Sequence, residues 1–173
     1  GGANWEGSAL DPETGVLYIP SQTRIGLMQL VNEPEKSDIE YISGTSPPPS
    51  VFGIPLVKPP WGRITAINLN TGQHQWMIPN GDTPETILSN KQLYGIDVPR
   101  TGKPTRSGIL VTKTLLFAGE GFGGDPIFRA HDKSTGNIVA EIELPATQAS
   151  PPSSYRFNGK QYIVMTIADG KAP

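Results

Sequence analysis

The sequence predicts an all-β chain, a partial β-propeller of about two and a half four-stranded antiparallel blades. Three observations predict it. The seven-position pattern Ala-x-(Asp/Asn)-x-x-Thr-Gly runs from Ala66 to Gly72 (AINLNTG), from Ala130 to Gly136 (AHDKSTG) and from Ala9 to Gly15 (ALDPETG). Each copy lies between two short apolar runs, as a hairpin corner does. The acid or amide bonds the local backbone, and glycine supplies the positive φ of the turn. The copies at Ala66 and Ala130 also agree beyond the corner, with Ile64 matching Phe128, Asn68 matching Asp132, Thr71 matching Thr135 and Gly72 matching Gly136. The third observation is that 20 glycines and 18 prolines in 173 residues favour turns over helices. A hairpin repeated at a fixed period is a repeat architecture.

Taken in order, Gly7 to Leu10 and Val16 to Ile19 form the first hairpin. The passage from Ser21 to Trp61 is read as a surface insertion. Its Pro47-Pro48-Pro49 and Lys58-Pro59-Pro60-Trp61 runs suit no central strand, although Tyr41 and Ile42 add a short one. Arg63 to Leu69 and His74 to Ile78 form the second hairpin, and one helical turn is expected within Thr86 to Gln92 of the polar connection that follows. Gly108 to Thr112 with Thr114 to Ala118, and Ile127 to His131 with Asn137 to Leu144, give two more hairpins. Ser154 to Phe157 and Gln161 to Ile167 flank Asn158-Gly159, a strong hairpin signal. Residues 7–78 are thus one blade with an insertion over 21–61, residues 107–144 a second, and residues 154–167 the first hairpin of a third. So few blades cannot close a ring, and both ends of the sequence look like cuts inside a longer protein.

Composition narrows the function classes. A net charge of −2 and a pI near 5.7 disfavour nucleic acid as a partner. The absence of cysteine excludes disulfides and thiolate zinc sites. No apolar stretch approaches the roughly 20 residues of a membrane span, and no signal peptide opens the sequence.

Beyond the corners, GGANWEGSALDPETGVLYIPS (1–21), FGIPLVKPPWGRITAINLNTG (52–72) and YRFNGKQYIVM (155–165) resemble the C-terminal part of the pyrroloquinoline quinone (PQQ) dependent alcohol and sugar dehydrogenases. These are eight-bladed quinoproteins. The Pro-rich insertion is similar to that of the glucose, quinate and polyol branch. The string from Ala66 to Trp76 resembles the family's tryptophan docking motif, whose indole wedges between blades. Ala66, Asn68, Thr71, Gly72 and Trp76 are its first copy; Ala130, Asp132, Thr135 and Gly136 belong to the second, where Ala140 replaces the tryptophan. Truncating a buried tryptophan to alanine typically costs about 3–5 kcal/mol, so that blade contact is expected to be missing or refilled.

The resemblance implies oxidation of a sugar, polyol or related alcohol, with hydride passing to PQQ beside a calcium ion and electrons leaving to ubiquinone or a cytochrome. It places the catalytic aspartate and the calcium ligands upstream of Gly1, so this segment is expected to hold no catalytic or metal-ligating residue and, alone, to bind neither PQQ nor calcium tightly and to self-associate. Asn4 matches the asparagine that bonds the quinone's polar rim, and Trp5 is the second cofactor candidate. An amide offers both a donor and an acceptor to such a rim. The resemblance implies a periplasmic parent, attached to the inner membrane through a segment not present here. The rival reading is a non-catalytic propeller that serves as a protein-binding scaffold.

Other chemistry-bearing residues have plainer readings. Trp61 is read as core or rim packing, and His74 and His131 as structural or exposed. Gly119 to Asp125 invites a phosphate-loop reading but has no helix after it, so it is taken as a glycine-rich blade turn. Glu120 and Asp125 are then solvated turn carboxylates by default, and Asp11, Glu13 and Asp132 local corner bonders.

Overall fold

A computed structural model describes residues 2–4 and 6–169. Sixteen short strands and a single four-residue α-helix make up its regular structure among those residues. In chain order the strands are β1 (Ala9–Asp11), β2 (Val16–Gln22), β3 (Gln29–Val31), β4 (Ile42–Gly44), β5 (Ser50–Val51), β6 (Ile54–Pro55), β7 (Gly62–Asn68) and β8 (Gln73–Pro79). The helix α1 (Glu85–Leu88) and a 3-10 turn at Lys91–Leu93 follow. Then come β9 (Ile109–Val111), β10 (Leu115–Gly119), β11 (Ile127–Asp132), β12 (Ile138–Glu143), β13 (Thr147–Gln148), β14 (Ser153–Phe157), β15 (Lys160–Val164) and β16 (Ile167–Ala168).

Two antiparallel sheets of four strands dominate, ordered β1-β2-β7-β8 and β9-β10-β11-β12. Each is the up-and-down sheet of a propeller blade. The repeat seen in the sequence is also a repeat in register. Ala66 faces Trp76 and Ala130 faces Ala140, and in both sheets a bulge follows directly, between Ala66 and Ile67 and between Ala130 and His131. The extra residue lets each corner close while both sides of the ladder keep their facing.

The corners are built alike. The backbone N–H of Gly15, Gly72 and Gly136 donates to the carbonyl of Asp11, Asn68 and Asp132 at 2.9, 2.7 and 2.8 Å. All three glycines have φ between 68° and 78°, where a side chain would be strained. Asp11 Oδ1 accepts from Glu13 N, Asn68 Oδ1 from Asn70 N and Asp132 Oδ1 from Ser134 N.

The core lies between the two sheets. Val16, Tyr18, Ile64 and Ala66 of the first pack with Ile109, Leu116 and Ala118 of the second. Val16 and Tyr18 of β2 and Leu116 and Ala118 of β10 alternate along their strands onto this buried face, and apolar residues such as Leu17, Ile19, Leu115 and Phe117 take the opposite, half-buried face.

Several boundaries differ from the sequence expectation, the helix among them, which starts at Glu85. Strand β2 continues to Gln22, paired with Gly62, so the excursion between β2 and β7 spans 23–61. Pro20 is tolerated there because β1 pairs only as far as Tyr18, leaving no partner to need its missing N–H. That excursion holds two small hairpins, β3-β4 and β5-β6. The run expected from Gln161 to Ile167 is broken after Val164. Thr166 N donates to Ser150 Oγ and Ala149 N to Thr166 O, turning Ile167–Ala168 away from β14 to pair with β13.

Candidate functional site

Two places concentrate polar chemistry, the junction between the sheets and the rim at the end of β2. At the junction, Trp76 leaves β8 and crosses to the corner of the second sheet. Its Nε1–H donates to the Lys133 carbonyl at 3.2 Å, an acceptor shared with the Tyr18 hydroxyl at 3.1 Å. The two rings pack with centroids 5.6 Å apart. Gly136 lies directly under the indole, where an added Cβ would stand 3.1 Å from Trp76 Cε3. Lys133 Nζ closes the knot on Asp11 at 2.5 Å. That bond, followed by one from Thr14, holds the Asp11 carboxyl below its ordinary pKa, whereas burial, and then the charges of Asp11 and Asp132, push the Tyr18 phenol up to about 12. Ala140 occupies Trp76's ladder position on β12 but is exposed, as is all of that strand. Lys133 was not singled out by the sequence, because a lysine in a hairpin corner is ordinarily solvated.

At the rim, Gly2 and the end of β2 exchange backbone hydrogen bonds, Gly2 N to Gln22 O at 2.5 Å and Gln22 N to Gly2 O at 3.1 Å. This bridge sets Asn4 beside Gln22, Arg24 and Arg106. Trp5 lies outside the described residues. The adjoining cleft, of about 470 Å³, takes in Glu6, Gln22, Arg24, Arg106, Phe122 and Gln148. Arg106 Nε stands 3.5 Å from Glu6 Oε1. Buried Gln148 ties the cleft wall together, accepting from Gly119 N at 2.7 Å and donating to Gly108 O at 2.8 Å. Gln22 Oε1 is buried with no hydrogen-bond partner among the described residues. An orphaned acceptor beside two guanidiniums and an amide is a donor and acceptor set for a polar, anionic, planar ligand.

A family model described as the PQQ glucose/ethanol/alcohol dehydrogenase β-propeller domain matches residues 1–163. The chain belongs to this family. The quinate/shikimate dehydrogenase (quinone) of Acinetobacter baylyi is 30% identical over 99% of the chain and 24% of its own length. The quinoprotein glucose dehydrogenase of Gluconobacter oxydans is 34% identical over 69% of the chain and 15% of its own length. The chain therefore spans about a quarter or less of these relatives. Among solved structures, the quinohemoprotein alcohol dehydrogenase from Comamonas testosteroni superposes with a TM-score of 0.63 at 20% identity, over 96% of the chain and 22% of that protein, which shows a shared fold.

In this quinoprotein segment the glycine-rich turn is not solvated as expected. Glu120 is fully buried, its Oε1 2.7 Å from Arg129 Nη1 and its Oε2 accepting from Asp125 N at 2.8 Å. Gly124 is what lets the turn close over it, for a Cβ there would collide with that of Glu120. Arg129, 1% exposed, also reaches Glu141 at 2.6 Å and Asp82 at 3.1 Å. Burial opposes its charge, but Glu120 and Glu141 outweigh it and the guanidinium's pKa rises. Asp82, Glu120 and Asp125 bring carboxylate oxygens within 4.8 Å of one another, a spacing that suits a cation. The charge is already supplied. Lys103 pairs with Glu120 and Asp125, Arg100 with Asp82, and Arg129 with two of the three acids. The cluster is an ion-pair network joining the 80–103 connection to the second sheet.

His131 is buried, with Nδ1 2.9 Å from the Gly136 carbonyl. Burial lowers its pKa against the opposing pull of that carbonyl, and the nearby charges of Arg100 and Arg129 lower it further. His74 is exposed on β8. Trp61 is buried at the rim, donating from Nε1 to Val57 O at 2.9 Å.

Proposed function

We propose that the chain is the rim-bearing segment of a PQQ-dependent dehydrogenase that oxidises a sugar, polyol or related alcohol and passes the electrons to ubiquinone or a cytochrome. The observation that carries this reading is the family match over residues 1–163, which spans both sheets and the whole of the Asn4 cleft. The relatives named for quinate, glucose and glycerol favour a hydroxylated small molecule as the substrate.

The cleft suits the cofactor's chemistry. PQQ is a flat tricarboxylate with a quinone edge, and when bound it supplies the two-electron acceptor. Arg106 offers a guanidinium to a carboxylate, while Asn4 offers an amide donor and acceptor to the polar rim. Gln22 Oε1, buried and without a partner among the described residues, would accept from a ring N–H of the cofactor. These residues bind and orient, and no proton transfer is assigned to them. Calcium beside the quinone and a periplasmic setting belong to the same proposal. Among the described residues, the Asp82, Glu120 and Asp125 carboxylates are already paired with lysine and arginine, which favours calcium ligands supplied from elsewhere in the parent.

The test is an absorbance titration of the full-length apoprotein with PQQ and calcium, followed by dye reduction with glucose, quinate, glycerol and ethanol. Stoichiometric quinone binding with turnover on at least one substrate is expected. Asn4→Ala should weaken PQQ binding by about 1–2 kcal/mol. A full-length protein that ignores the quinone overturns the reading.

A further inference from the structure

The cleft at the rim is two spaces joined at Gln22, Arg24 and Arg106, which border both. Asn4 belongs to the first, and Phe122 to the second, of about 470 Å³. Phe122 is the one side chain of the run Gly121-Phe122-Gly123-Gly124. Its ring is 63% exposed and enters none of the ring pairs among the described residues. A lone exposed phenylalanine on a convex surface needs no explanation. One held in the wall of a cleft is different, because a concave site strips water from an apolar face when a ligand arrives.

The turn is a rigid bracket for that ring. At its foot Glu120 is fully buried, its carboxylate accepting from Arg129 Nη1 at 2.7 Å and from Asp125 N at 2.8 Å, and its carbonyl accepting from Thr105 Oγ1. At the tip, the Phe122 backbone bridges that of Arg106, a residue that borders both spaces. Gly121, at φ 76°, lies against the Arg106 carbonyl where any Cβ would collide, and Gly124 gives way to Glu120 in the same manner. Close approach, not mobility, requires these two glycines. The packing thus accounts for the residues around Phe122 and for its backbone, but not for its ring.

We propose that Phe122 is a specificity residue of the dehydrogenase, the apolar wall along which the carbon skeleton of an alcohol lies while its hydroxyl end points to the cofactor held at the Asn4 end. The inference rests on the PQQ-dependent oxidation proposed above for the reaction, but not for the binding. An aromatic face covers methylenes without directional demand, so its contribution grows with the length of chain it covers, by about three- to fourfold in affinity for each methylene. The shortest alcohols gain little from it. Phe122 takes no part in the redox step and holds no cofactor atom.

Binding is read first, by calorimetry on the full-length protein in the presence of PQQ and calcium, with tert-butanol and 2-methyl-2-hexanol. Neither carries a hydrogen on the carbinol carbon, so neither can lose hydride. The longer alcohol should bind the more tightly. Phe122→Ala should weaken it about tenfold and leave tert-butanol within about twofold, while Phe122→Leu, which keeps an apolar wall, should recover most of the loss. The PQQ titration and the unfolding midpoint should not move in either variant. In turnover, Phe122→Ala should flatten the rise of kcat/KM from ethanol to 1-hexanol and leave ethanol and glycerol within about twofold. Equal binding of the two tertiary alcohols by the wild type, a Phe122→Ala loss of the same size for both, or a defect confined to the quinone titration overturns the proposal. Should the longer alcohol respond to Phe122→Ala while nothing is oxidised with PQQ, the activity falls and the wall stands. If turnover is normal and its chain-length dependence survives Phe122→Ala, the wall falls and the activity stands.

Discussion

The first and second sheets share a corner, a bulge and a ladder register, yet they spend the same positions differently. At one buried position of the third strand the first sheet has Thr65 paired with Met77, and the second has Arg129 paired with Glu141. At the next position the outer strand carries Trp76 in one sheet and Ala140 in the other. The first sheet reaches outward with an indole and docks on its neighbour's corner. The second turns its charge inward, onto Glu120, Asp82 and Glu141. A repeated backbone thus fixes where a side chain stands and leaves open whether that place becomes packing or a charge network.

The largest effect should come from breaking the charged side of this comparison. Arg129→Met leaves Glu120 buried with only Lys103, at 3.5 Å, to oppose it, and should cost about 3–5 kcal/mol in a urea unfolding midpoint. Thr65→Val at the matching position should cost less than about 1 kcal/mol. Equal losses would show that the network contributes no more than ordinary packing.

Next is the junction. Trp76→Ala should cost about 3 kcal/mol, the lower end of the range for tryptophan truncation because the indole is only half-buried. Restoring the motif in the second sheet, Ala140→Trp, should change stability by less than about 0.5 kcal/mol, since β12 is exposed in this chain. A large gain there would mean that β12 already has a surface to dock on.

Lys133→Met keeps the carbonyl that serves Trp76 and Tyr18 but removes the bond to Asp11, at a cost of about 2 kcal/mol at neutral pH. The sign follows from the depressed carboxyl. Its folded pKa lies below the ordinary 3.8, so its contribution is present above that value and is lost as pH falls through the folded pKa. The variant should therefore converge with the wild type in acid.

His131 gives a pH-dependent effect that is absent at neutral pH. Its folded pKa is below the ordinary 6.5, so the unfolded chain binds the extra proton and stability is lost as pH drops beneath 6.5. The slope should reach at most about 1.4 kcal/mol per pH unit. Unfolding midpoints between pH 7.5 and 5 should show that slope in the wild type and a flatter profile in His131→Asn.

The corners were legible because Asp-x-x-Thr-Gly is a local code, satisfied within five residues of chain. The strands were legible from alternation, whereas Asn4 was singled out only through the resemblance that GGANW carries. What escaped was every partnership across sequence distance. Glu120 reads as a turn carboxylate until Arg129 and Lys103 are brought to it. Lys133 reads as a solvated corner lysine until Trp76, Tyr18 and Asp11 converge on it. Arg24 carries no motif at all, and only the fold sets it beside Asn4, Gln22 and Arg106.

The sequence by itself determined the all-β class, the hairpin corners, the repeat and the family, because each rests on short-range backbone chemistry or on ordered identities along the chain. The tertiary structure alone decided which charges are buried, where the run after β15 breaks and which residue receives the docking indole. Those outcomes depend on desolvation and on the distances between segments, and neither quantity exists until the sheets have packed.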